Sequence, residues 1–104
     1  MTAMLYHIEV FMPIPILRLV PSGTIKVIPT QHAIQASEND RYGAFELPDY
    51  INMNHVDIFE IETDEQNRLQ KFVIREKFDD EFDISIDLTK DYRIKTAWLN
   101  RNTD

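Results

Sequence analysis

The sequence predicts an α+β fold, with an N-terminal hairpin and a short helix packed on a four-stranded antiparallel meander sheet. Three observations carry this. Beyond residue 55, four β-rich segments follow one another across short polar turns. A single stretch near residue 30 has the cap and composition of a helix. With 104 residues, 43% hydrophobic and 28% charged, the chain has room for one core and reads as one domain, 1–104.

The front of the chain is apolar. Met4 to Phe11 reads as extended, and Pro13 and Pro15 exclude a central strand there. Residues 16–28 read as a hairpin: Ile16 to Val20, a turn at Pro21-Ser22-Gly23, then a β-branched strand from Thr24 to Ile28 closed by Pro29. Thr30 is an N-cap for a helix that begins with Gln31-His32-Ala33-Ile34 and is taken to span 30–41, with Gly43 as its stop. Residues 44–54, with Pro48 and two asparagines, read as loop with one helical turn over Asp49 to Met53.

The second half is more regular. Val56 to Thr63, Leu69 to Lys77, Phe82 to Thr89 and Tyr92 to Asn100 are the four strands, and 64–68, 79–81 and 90–91 are the turns between them. Short connections favour antiparallel neighbours. The helix is the cover available for one face of the sheet.

Composition narrows the function. There is no cysteine, so neither a disulfide framework nor a thiolate metal site is available. The stretch Val10 to Val20 is too short to span a bilayer and carries Arg18, and no basic leader precedes it, so the reading is a soluble, cytoplasmic protein with no membrane partner. The net charge of −7 disfavours nonspecific attraction to nucleic acid. Charge is uneven, with three Lys/Arg and five Asp/Glu in residues 1–54 against eight and thirteen in residues 55–104, which leaves room for a local basic patch.

Several residues stand out chemically. Lys71 and Arg75, four apart in a strand, point to one face, and Lys77 continues the line. Such cations can stabilise a phosphate that gains charge, or they can simply pair with Asp83 or Asp87 one strand over. His32, in the first helical turn, has the side chain for acid–base work near neutral pH. In the last strand, Tyr92, Ile94, Thr96 and Trp98 are expected on one face and Arg93, Lys95, Ala97 and Leu99 on the other. Aromatics interleaved with cations suit single-stranded nucleic acid, and Tyr92, Arg93 and Lys95 are the RNA-binding candidates. Asp79, Asp80, Glu81, Asp83 and Asp87 lack the glycine and spacing of a calcium loop and read as a solvated turn and strand, so no metal or cofactor is expected.

The order of Gln31-His32-Ala33, Asp40-Arg41-Tyr42-Gly43, Lys71-Phe72-Val73-Ile74-Arg75 and Lys95-Thr96-Ala97-Trp98-Leu99-Asn100 resembles the barnase/EndoU/colicin/RelE-type ribonuclease superfamily, in particular its small phage-encoded members. The resemblance covers residues 30 to 100. It implies metal-independent RNA cleavage or RNA binding in the cytoplasm, that of the host if the chain is phage-encoded. It assigns His32 as acid/base, Lys71 and Arg75 as phosphate stabilisers and Thr96 as a hydrogen-bonding group. The acidic balance departs from that family, so a fold kept without activity belongs to the same reading. The alternative is a noncatalytic acidic phage accessory protein that docks on a host or phage protein. The sequence leaves the oligomeric state open.

Overall fold

The computed structural model describes residues 19–103. They form β1 (Thr24–Lys26), β2 (Ile28–Pro29), α1 (Gln31–Glu38), β3 (Tyr50–Asn52), a 3-10 turn (Met53–His55), β4 (Asp57–Thr63), β5 (Leu69–Lys77), β6 (Phe82–Thr89) and β7 (Arg93–Arg101). The four long strands are antiparallel neighbours in sequence order. The sheet itself is five-stranded and mixed, ordered β2-β7-β6-β5-β4, because β2 adds to β7 in parallel. That corrects the four-stranded antiparallel meander.

The extra strand has a plain physical basis. Ile28 N–H donates to the Tyr92 carbonyl at 3.1 Å, and Thr30 N–H to the Ile94 carbonyl at 3.1 Å. Pro29 lies between them, where its missing N–H would have faced the open edge of the sheet. Two residues ending in proline carry no alternation, and their partner lies some 65 positions on, so nothing local announces the pairing.

The expected hairpin over 16–28 is also corrected. Residues 16–18 lie outside the described residues, as do the extended segment Met4 to Phe11 and the two prolines after it. Leu19 and Val20 form no strand. β1 pairs instead with β3, Ile25 opposite Ile51, within the stretch expected to be loop. Gly23, at φ +70°, turns the chain so that its carbonyl accepts from Met53 N–H at 2.8 Å.

The helix begins as expected. Thr30 Oγ1 accepts from Ala33 N–H at 3.2 Å and donates to the Ile94 carbonyl at 2.8 Å, so one side chain caps α1 and fastens it to β7. The helix ends earlier than expected, at Glu38, with Asn39 N–H reaching the Gln35 and Ala36 carbonyls. Beyond the reach of β2, the Leu99 N–H on β7 is satisfied by Asp40 Oδ1 at 3.1 Å.

One hydrophobic cluster joins the layers. The sheet gives Ile61, Phe72, Ile74, Ile86, Leu88 and Ile94, all essentially inaccessible, while α1 gives Ala33 and the β1–β3 ribbon gives Ile25 and Ile51. The helix and ribbon therefore cover one face of the sheet. No helix or ribbon among the described residues lies over the other, open face, although Val73, Ser85 and Asp87 on it are buried. Among the described residues no helix is long and apolar enough to cross a membrane.

Candidate functional site

Three of the four residues assigned to RNA chemistry share the open face. Strict alternation along β5 puts Phe72 and Ile74 in the core and turns Lys71, Val73 and Arg75 outward. On β6, Asp83, Ser85 and Asp87 face the same way. On β7 the alternation is interrupted: Asp87 pairs with Thr96 but Leu88 pairs with Ile94, so Lys95 is the extra residue of a β-bulge. The bulge corrects the expected faces of this strand. Ile94 joins Ala97 and Leu99 in the core, while Thr96, Trp98 and Asn100 look outward.

The outward residues form rows across the sheet. Glu60, Val73, Asp87 and Thr96 make one; Asp57, Arg75, Ser85 and Trp98 make the next. Ion pairs run diagonally between rows. Lys71 Nζ lies 3.1 Å from Asp87 Oδ2 and 3.4 Å from Glu60 Oε2. Arg75 Nε lies 2.9 Å from Asp83 Oδ2, its Nη2 donates to the Arg101 carbonyl at 3.1 Å, and its guanidinium stands 5.5 Å from the centre of the Phe59 ring. Burial works against the Lys71 ammonium, but the hydrogen bond and charge of Asp87, with Glu60 behind it, outweigh that and hold its pKa above the ordinary lysine value. Ser85 Oγ and Asn100 Oδ1 meet at 2.5 Å.

Two features of this face are unspent. Asp87 is 7% exposed, and its Oδ1 is buried without a hydrogen-bond partner among the described residues. Phe59 and Trp98 are 50% and 36% exposed at opposite flanks of the same face.

The remaining predicted residues lie elsewhere. His32 is exposed on α1, on the helix-covered side of the sheet, and forms no side-chain hydrogen bond or ion pair among the described residues. Tyr92 adopts φ +62° and turns its ring edge-on to the core Phe72 at 6.4 Å, so its aromatic surface is packing rather than platform. Arg93 and Lys95 are exposed, Lys95 at the bulge. Thr96 faces outward, and its hydroxyl makes no hydrogen bond among the described residues. No protein-family model, curated protein or solved structure matches the chain.

The acidic turn is built from backbone hydrogen bonds. Asp79 Oδ1 accepts from Glu81 N–H at 2.8 Å and Phe82 N–H at 2.7 Å, and Asn102 Nδ2 donates to the Asp80 carbonyl at 2.8 Å. Among the described residues no group of three or more histidines and carboxylates is placed to hold a metal ion.

One residue escaped the sequence reading. Glu76 follows Phe72 and Ile74 at the next core-facing position of β5, half-buried opposite Ile84. A carboxylate at that place in the alternation is a signal the sequence does contain.

Proposed function

We propose that the chain is a noncatalytic, acidic protein-binding module that presents the open face of its sheet to a basic partner protein. The observation that carries this is the state of the cations on that face. Lys71 and Arg75 are each held by carboxylates, while two aromatic side chains stay exposed beside them. Strands β4 to β6 place five carboxylates (Asp57, Glu60, Glu62, Asp83, Asp87) and three cations (Lys71, Arg75, Lys77) on it. A phosphate backbone is repelled by that balance, and a basic surface is attracted. Phe59 and Trp98 supply anchors of the kind that dominate protein interfaces.

The ribonuclease-like reading has one observation in its favour, the shared face of Lys71, Arg75 and Thr96. Four strand residues separate the two cations by about 13 Å along β5, more than one phosphate spans. His32 sits on the other side of the sheet.

Labelled RNA incubated with the full chain in EDTA separates the two. The binding-module reading expects intact RNA, and immobilised chain that retains one basic protein from a lysate of the producing cell in stoichiometric amount. Trp98→Ala combined with Phe59→Ala should release that protein by tenfold or more in affinity. Cleavage by wild type that disappears in His32→Ala or Arg75→Ala would instead establish the nuclease.

A further inference from the structure

The helix-covered side of the molecule carries a trough that the open face does not explain. The segment after α1 crosses this side and is pinned at two points. Phe45 N–H donates to the Ser37 carbonyl at 3.2 Å, and the Asp49 carbonyl accepts from Val27 N–H at 2.9 Å. Hollows open to either side of this strap, sharing Glu46 and Leu47 as a common wall. One, of about 330 Å³, is floored by Pro29, Ile34 and Phe45 with Glu38 at its rim. The other, of about 310 Å³, is formed by Pro48, Phe78 and Ile84 around Glu76. Both volumes lie at the lower end of the small-molecule range, and each hollow has room for a long side chain.

Glu76 is the unusual group. It makes no hydrogen bond or ion pair among the described residues, and burial lifts its pKa, with only His55 drawing it back. Lys77, the cation beside this hollow, is turned outward to Asp80 at 3.4 Å. Phe78 is 43% exposed, its ring standing edge-on to Phe45 at 5.8 Å. The trough is thus apolar along its floor and bears carboxylates at Glu38, Glu46 and Glu76.

We infer that this trough binds a short basic, amphipathic peptide segment of a partner protein, seating a lysine ammonium on Glu76 and an apolar side chain against Ile34 and Phe45. A lysine fits the Glu76 hollow in both of its parts. Its alkyl stem matches Leu47, Pro48 and Phe78, and its charge meets a carboxylate that forms no ion pair among the described residues. The site lies on the opposite side of the sheet from Trp98 and stands whether or not the open face is an interface.

The probe is an acetylated, amidated hexapeptide alternating leucine and lysine, compared with the same peptide carrying norleucine for lysine. Titration into the full chain at neutral pH, followed by amide NMR, should move Glu46, Leu47, Glu76 and Phe78. The lysine peptide should bind at least tenfold more tightly than the norleucine peptide. Glu76→Gln, nearly isosteric, should remove that advantage, and Trp98→Ala should leave it unchanged. On the wild-type chain, which needs no variant to fold, the advantage should shrink as acid protonates Glu76. Equal binding of the two peptides, shifts that map outside the trough, or an advantage indifferent to both Glu76→Gln and acid would each overturn the assignment.

Discussion

Lys71 shows at the residue scale how the open face is stabilised. Its ammonium is the counter-charge for Asp87, whose side chain is about nine-tenths buried. Removing one partner of a fully buried pair costs 3–5 kcal/mol and of an exposed pair under 1, so Lys71→Ala should cost about 2 kcal/mol, read from the urea midpoint. The pH dependence has a definite sign. Folding raises the Lys71 pKa, so its contribution is complete below the ordinary lysine value of 10.5 and is lost as pH climbs through the raised one. The gap between wild type and variant should therefore be flat through neutrality and close only in strong alkali. This part of the site was legible in advance, since cross-strand pairing of the β5 cations with Asp83 and Asp87 follows from strand spacing. The grouping of His32 with them was not, because a helix's side of the sheet is fixed by tertiary packing that no local spacing encodes.

At the scale of elements, Thr30 joins two that are remote in sequence. Thr30→Ala loses both its cap to Ala33 and its bond to Ile94, and should destabilise by about 1–2 kcal/mol in thermal or denaturant unfolding. Thr30→Ser, keeping the hydroxyl, should recover most of that. The four long strands and the helix start were readable because polar alternation, tight turns and capping are local chemistry. The pairing of β1 with β3 was not, since Thr24–Lys26 and Tyr50–Asn52 are three residues each and carry no period. The bulge at Lys95 escaped for a related reason: one inserted residue reverses every inward and outward position before it, and alternation alone does not reveal where.

Over the whole molecule, one core cluster holds residues from Ile25 to Leu99, and its connectivity is unequal. β4, β5 and β6 pair through short turns, whereas β2 and α1 meet the sheet through β7. A chain ended after Asp91 should therefore lose hydrogen-exchange protection throughout β2 and α1. Protection in α1 equal to that of the full chain would show that the helix has support independent of β7.

The same arrangement sets a timetable for synthesis. A ribosome delivers residues 28 to 92 before the strand that must slide between Ile28–Pro29 and β6 exists. Through that interval the helix lacks β7, its main partner, and the flank of β6 destined for β7 is bare. The nascent protein is therefore most vulnerable to wrong pairing just before translation reaches its last described strand, and a chaperone holding that flank would matter more than one acting on the finished fold.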